Sequence, residues 1–181
     1  MVEQTSAYRT LQALAAKSRF FAHQLPSETN IVSQWSGIGF SLLGLHFVAP
    51  MEELVEMLEI PAYTKLPGVH PWVKGVSNIR GRLLPLFDLA AFFLAELTGN
   101  KKHQRLLVLD NQQVYASIWV DSVFGIQYFP TDSKHPDVPD HVPARMRGFV
   151  DGYYEANECQ WIVFHLASLS QDAQFLRVAA S

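Results

Sequence analysis

The pattern of hydrophobic and polar positions changes near residue 35. Before it, apolar residues such as Leu11 recur three or four positions apart over Ala7–Leu25, a segment without glycine or proline. This spacing places apolar side chains on one face of a helix. It predicts an amphipathic helix capped by Thr5 or Ser6 and ended by Pro26. Such a helix either packs on the body of the protein or docks a partner.

Beyond residue 35, short apolar runs alternate with Gly, Pro, Asn and Asp, a pattern typical of a barrel or sandwich. The predicted strands are Phe40–Val48, Val76–Arg80, Arg82–Phe87, Arg105–Asp110, Val114–Asp121, Val123–Phe129, Gly148–Tyr154 and Trp161–Phe164. The spacing in Met51–Leu58 predicts a short helix covering a barrel end. A second helix over Asp88–Leu97 would take Asp88 as its N-cap. Pro130–Pro143 reads as an irregular surface loop.

One pattern occurs twice along the chain. Gly75–Arg80 is followed by Leu84–Ala90, and Gly148–Tyr153 is followed by Trp161–Ala167. Each pair has a glycine, a strand, a turn and a second apolar strand, ending in PLFDLA or IVFHLA. The repetition predicts two related half-structures.

Composition narrows the class of protein. The chain has 181 residues, of which 49% are hydrophobic and 17% charged, enough to bury a substantial core. Its net charge is −3 and it has no basic run, which argues against nucleic acid as a partner. No apolar stretch approaches the ~18 residues of a membrane span. With no visible signal peptide and Cys159 as the single cysteine, we expect a cytoplasmic protein without membrane insertion.

Catalytic and cofactor motifs are missing from the sequence. The histidines are scattered, and the densest group, His135 to His141, lies in a proline-rich loop without metal-ligand spacing. Gly37 and Gly39 lack the third glycine of a dinucleotide-binding turn. Cys159 has no cation beside it in sequence to activate its thiol. We therefore expect no enzyme activity, no metal and no cofactor.

The most unusual segment is WVKGVSNIRGRLLPLFDL, from Trp72 to Leu89. Gly75 and Gly81 suit backbone positions with positive φ or close approach. Asn78 can hydrogen-bond its own turn. Arg80 lies in an apolar stretch, so it either pairs with a carboxylate or projects outward as a hydrogen-bonding fork.

This segment resembles the signature of CheW-like domains, in which G-[VI]-x-N-[LI]-R-G leads into a strand reading [LI]-[LIV]-P-[LIV]-x-D-L. The resemblance extends over about residues 35 to 169 and implies a mainly β fold of two packed five-stranded, SH3-like β-barrels with short helices. It implies a CheW-like domain over residues 35–172, with the second barrel centred on 105–165. Residues 1–34 would then be a helical extension and linker, and 173–181 a tail.

The resemblance implies a non-catalytic adaptor that couples a chemoreceptor tip to the regulatory domain of a CheA-like histidine kinase. Within the family, QWSGIGF, LPGVHPWVKG and LPLFDLAAF look most like members that control type IV pili and twitching motility. A general chemotaxis adaptor is the nearest alternative. A small-molecule-binding sensory β-barrel is a third possibility from another class.

The family motif also implies which residues contact partners. These positions are Leu54, Glu56, Gly75, Asn78, Arg80, Gly81 and Val123. Val123 is the loosest match, through a V-D-x-V-like segment. Arg82 adds a second cation beside Arg80, so the sequence leaves open which arginine faces a partner.

Overall fold

The computed structural model describes residues 3–22, 33–110 and 114–180. The chain divides into two compact units, Met1–Ser33 and Gln34–Ser181. The predicted N-terminal helix is present in the first unit as α1, Glu3–Ala22. α1 begins at Glu3, before the predicted caps Thr5 and Ser6. The predicted stop at Pro26 lies outside the described residues.

The second unit is mainly β. Its described strands are β1 Gln34–Leu42, β2 Leu45–Pro50, β3 Glu56–Glu59, β4 Val73–Ile79, β5 Arg82–Asp88, β6 Arg105–Asp110, β7 Tyr115–Val120, β8 Ser122–Pro130, β9 Val150–Ala156 and β10 Cys159–Phe164. They form a first sheet in the order β8-β1-β2-β10-β9 and a second sheet in the order β3-β6-β7-β5-β4. The predicted mainly β fold with two five-stranded halves is confirmed.

The strands are divided between the halves differently from the expectation. The chain begins the first sheet with β1 and β2, builds the whole second sheet from β3 to β7, and returns to the first with β8 to β10. β6 and β7 therefore lie beside the signature strands, and the second half is not centred on residues 105–165. The reason is a parallel pairing, Leu86 with Ser117, which local sequence patterns do not reveal.

The repeated sequence pattern corresponds to a repeated arrangement of strands. β4 and β5 form an antiparallel hairpin, and β5 then pairs parallel with β7. β9 and β10 form the equivalent hairpin, and β10 pairs parallel with β2. Short helices follow both, α2 at Leu89–Phe92 and α3 at Leu166–Leu169. The two sheets are thus related half-structures.

The equivalent glycines are Gly75 and Gly152, and not Gly148 as the sequence pattern suggested. Both have positive φ, 145° at Gly75 and 133° at Gly152. The next residue in each case forms an isolated bridge to a distant segment, Val76 to Thr64 and Tyr153 to His135. The absence of a Cβ allows these backbones to meet.

The core runs through both sheets and is rich in phenylalanine. Phe40 and Phe47 stack at 5.5 Å between ring centroids, and Phe164 meets Phe47 edge-on at 5.6 Å. In the second half Phe87 packs on Phe175 of the C-terminal helix α4, Ala173–Leu176. Offset and edge-on aromatic pairs add to the burial of apolar area, so they tie the sheets and short helices together.

Two helix predictions need correction. Met51–Glu53 is a single 3-10 turn, after which the chain extends and forms β3 instead of a helix. A helix of two turns is not stable by itself, whereas the backbone of Glu56–Glu59 gains a full set of pairings with β6. Asp88 caps α2 as predicted, accepting from the Ala91 N–H at 2.9 Å. That helix ends at Phe92, well before Leu97.

We predict that Gly75→Ala and Gly152→Ala each lower the free energy of unfolding by about 2 kcal/mol or more, measured by urea titration. An added Cβ would overlap the carbonyl oxygen of Thr64 at the first position and of His135 at the second. Gly148→Ala is the matched control, because a Cβ there meets nothing within 4 Å. Equal stability of all three variants would show that these bridges are dispensable.

Candidate functional site

The turn between β4 and β5 is shaped by two of the predicted site residues. Ile79 pairs with Arg82, leaving Arg80 and Gly81 as a two-residue connection with φ of 51° and 82°. Positive φ at both positions is what a type I′ hairpin turn requires. The Asn78 side-chain oxygen accepts a hydrogen bond from the Gly81 N–H at 2.9 Å. Asn78 and Gly81 therefore fix the geometry that presents Arg80.

Arg80 is an unfavourable residue for its position. Placing an L residue other than Asn or Asp in the left-handed region of backbone conformation costs roughly 1–2 kcal/mol. Its Nη2 lies 2.6 Å from Glu56 Oε1, but the Arg80 side chain is 76% exposed. An ion pair this exposed contributes about 0–1 kcal/mol. The ion pair with Glu56 therefore does not compensate for the strained backbone at Arg80.

Arg82 is held more firmly than its neighbour. Its guanidinium makes contacts of 2.6 and 3.4 Å with the two Asp110 oxygens and lies 3.7 Å from the centre of the Tyr115 ring. The hydrogen bond with Arg82 lowers the pKa of Asp110 below its ordinary value. Arg82 is thus engaged within the protein, and Arg80 is the more available of the two arginines.

These side chains border a shallow pocket that continues into an apolar groove. The pocket, about 370 Å³, is lined by Val55, Glu56, Ile79, Arg80, Arg82, Val108, Asp110 and Tyr115. The groove, about 170 Å³, is lined by Ile38, Met51, Leu54, Val55, Glu56, Met57 and Ile126. Val55 and Glu56 belong to both. Val55 is 63% exposed and Met57 44% exposed, so a charged rim and an apolar surface adjoin along β3.

The structure brings some predicted residues together and separates others. Leu54, Glu56 and Arg80 line the pocket and groove, with Asn78 and Gly81 in the adjoining turn. Gly75 is buried and acts through the backbone contact with Thr64. Val123, in β8, pairs with Phe40 and is outside the lining residues of both cavities.

Sequence reasoning missed Val55, Met57, Asp110 and Tyr115 among the other lining residues. Val55, directly before β3, and Met57, within it, were interpreted as part of a helix, which hid their alternation. Asp110 and Tyr115 end one strand and begin the next, so only the pairing of β6 with β7 places them beside Arg82.

A partly exposed ionic cluster holds the segment that enters β3. Glu53 Oε1 lies 2.9 Å from His165 Nδ1, and the other ring nitrogen of His165 lies 2.9 Å from Asp151. Glu53 Oε2 accepts from the Ala167 N–H at 2.8 Å, thereby capping α3. Leu54 follows Glu53 directly, so this cluster anchors one end of the groove.

The charges of the cluster depend on one another. Burial disfavours the charged form of His165, but its hydrogen bonds to Glu53 and Asp151 outweigh that effect and raise its pKa above 6.5. Burial likewise acts to raise the pKa of Asp151, and hydrogen bonds from His165 and Lys134 more than reverse it. The two carboxylates therefore stabilise the protonated form of His165.

Other chemistry is not evident in the described parts of the chain. In residues 3–22, 33–110 and 114–180, no group of three or more His, Cys, Asp or Glu side chains is arranged to hold a metal ion. Within the same residues, no helix has the length and apolar character needed to cross a membrane.

The paired five-stranded sheets and the N-I-R-G turn are features of one family. Residues 36–174 match the CheW-like domain, and the chain belongs to the CheW-like family. It is 42% identical over 179 residues to Protein PilI of Pseudomonas aeruginosa, covering 99% of both chains. It is 29% identical over 84 residues to Chemotaxis protein CheW of Helicobacter pylori, covering 46% of this chain and 51% of that one.

A solved structure shows the same fold. The crystal structure of the scaffolding protein TtCheW from Thermoanaerobacter tengcongensis superposes with a TM-score of 0.64 and 22% identity. The superposition covers 74% of this chain and 90% of TtCheW.

We predict that stability contributed by His165 is complete below pH ~6.5 and is lost as pH rises through its raised folded-state pKa. The sign follows because the folded protein holds this proton more tightly than the unfolded chain does. Urea unfolding across a pH series should show this decline in the wild type. His165→Gln should flatten it, whereas His103→Gln, at an exposed site, should not. An unchanged profile for His165→Gln would contradict the assignment.

Proposed function

We propose that the protein is a non-catalytic adaptor that couples a chemoreceptor to a CheA-like histidine kinase in a pathway controlling type IV pili and twitching motility. The observation that carries this proposal is the similarity to Protein PilI along 99% of both chains. The family match over residues 36–174 and the exposed surface around Arg80 support the adaptor role.

The kinase regulatory domain is the proposed partner of the pocket at the β4–β5 turn. Arg80 offers most of its donor fork to solvent from a rigid turn, so little side-chain and backbone freedom would be lost on binding. Arginine is among the residues that most often dominate binding energy at interfaces. Glu56 holds the Arg80 side chain in place before the partner arrives.

The chemoreceptor tip is the proposed partner of the apolar groove along β3. Exposed Met51, Val55 and Met57 lie beside Ile126 of the other sheet. A groove with apolar walls suits the apolar face of an amphipathic helix, and methionine adapts to the shape of such a face. Because the pocket and groove share Val55 and Glu56, binding of one partner would change the affinity for the other.

We predict that Arg80→Ala weakens binding to the CheW-homologous regulatory domain of a CheA-like kinase by tenfold or more, since losing an interface anchor costs ~2 kcal/mol or more. Calorimetric titration of the purified chain gives this value. Its circular dichroism spectrum and urea midpoint should stay close to wild type. Arg80→Asn, better suited to positive φ, should be at least as stable and equally weak in binding.

A charge-exchange variant distinguishes between two roles of Arg80, an anchor for the partner and a member of a structural ion pair. The double variant Glu56→Arg with Arg80→Glu restores opposite charges at the turn but not the arginine fork at residue 80. We expect the exchanged variant to bind the kinase domain as weakly as Arg80→Ala does. Lys101→Ala, at an exposed site, is the control and should bind with full affinity. Wild-type affinity in the exchanged variant would assign Arg80 to structure. Titration against kinase domains from pilus and flagellar systems distinguishes this proposal from a general chemotaxis adaptor.

We predict that Val55→Asp reduces affinity for the receptor tip by tenfold or more, because it places a charge in the wall of the apolar groove. The Val55 side chain is exposed and its N–H bonds the Val108 carbonyl, which the substitution retains, so folding should be unaffected. Leu66→Asp is the matched control, at a residue that lines neither cavity. Sedimentation with receptor fragments measures both variants, and equal binding would remove the groove from the proposal.

A further inference from the structure

A second pocket lies outside the surface assigned above. It has a volume of about 230 Å³ and is lined by His70, Trp72, Phe92, Leu94, Arg145, Gln174 and Arg177. None of these residues lines the pocket at Arg80 or the groove along β3. We refer to it as the basic pocket.

The basic pocket carries two positive charges, and none of the described residues that line it is acidic. Arg145 and Arg177 are both exposed, and no carboxylate lines the pocket with them. Within the described residues, neither guanidinium forms an ion pair. By contrast, carboxylates pair with the guanidinium groups of Arg80, Arg82, Arg105 and Arg147. Two unpaired arginines in one concavity of a chain whose net charge is −3 create a local site for an anion.

Like Trp161 elsewhere, Trp72 in the wall of the basic pocket has an unsatisfied donor. Its indole Nε1–H is buried and, among the described residues, has no hydrogen-bond acceptor. Buried donors without acceptors are uncommon and cost roughly 1–3 kcal/mol. The ring is held rigidly, stacked on His70 at 4.2 Å and meeting Phe92 edge-on at 5.5 Å. It therefore cannot turn freely to find water.

The rim of the pocket is apolar and strained. Leu94 is 68% exposed and has a φ of 63° where the chain leaves α2. Glycine is the usual residue in such a conformation after a helix. A leucine there sacrifices backbone stability and exposes apolar surface beside the two arginines, a combination that favours an occupant with both an anionic and an apolar part.

We propose that the basic pocket binds an acidic segment of a protein partner, with a carboxylate held by Arg145 and Arg177 and an adjacent apolar side chain covering Leu94. Guanidinium forks bind carboxylates through charge-assisted hydrogen bonds. The volume is below the ~300–1,000 Å³ of most small-molecule sites, which favours one or two side chains of a peptide over a metabolite. This surface is additional to the coupling surfaces and does not depend on them.

The test uses the full chain and a blocked peptide of alternating glutamate and leucine, with a glutamine-for-glutamate twin as its uncharged match. Nitrogen-15 NMR spectra recorded during the peptide titration follow the indole N–H signal of Trp72. That signal is assigned as the one missing from the spectrum of the Trp72→Phe variant. We expect saturable movement of that signal, affinity for the twin at least tenfold lower, and weakening with added salt.

Two double variants decide where the peptide binds. Arg145→Gln with Arg177→Gln should lower affinity tenfold or more, while Arg80→Gln with Arg82→Gln should bind the peptide as the wild type does. Two results would overturn the proposal. One is equal affinity for the acidic peptide and its uncharged twin, and the other is wild-type affinity of the Arg145→Gln, Arg177→Gln variant for the acidic peptide. Equal binding of acetate or inorganic phosphate would show a pocket for free anions instead. Because the kinase titration monitors Arg80, either proposal can fail without the other.

Discussion

The presentation of Arg80 depends on a close contact between two stretches of backbone. At Gly75, β4 approaches Thr64 so closely that no Cβ could be accommodated, and Val76 then bridges to Thr64. This contact orients β4 and hence the hairpin whose turn carries Arg80. Gly75 itself is buried and does not reach the surface. Its influence is transmitted through the direction of a strand.

The two halves share one architecture but differ in how the short helix after the hairpin is capped. Asp88 caps α2 with its own carboxylate and pairs with Lys74 at 2.9 Å. His165 occupies the equivalent position before α3 and cannot act as such a cap, so Glu53 from the 3-10 turn supplies the carboxylate. The second hairpin is thereby connected to the entry of β3. The charge on His165 thus bears on the groove as well as on its own half.

Local features could be predicted from the sequence where short-range interactions decide the structural role of a residue. The glycine and asparagine of the β4–β5 turn, the Asp88 cap and the strands from residue 105 to 130 follow from short-range chemistry. The strand β3 was missed because MEELVEML has helical spacing, and its pairing with β6 outweighs that tendency. The groove itself could not be predicted, since Ile126 and Met57 come from different sheets.

The return of the chain to its first sheet also affects how the protein is made. Of the strands, β1 and β2 are synthesised first and pair with each other, but β1 also pairs with β8 and β2 with β10, which are synthesised much later. The second sheet can form completely in the meantime. Phe40 and Phe47 can stack on each other in the β1–β2 hairpin, but they lack the covering ring of Phe164 until β10 has left the ribosome.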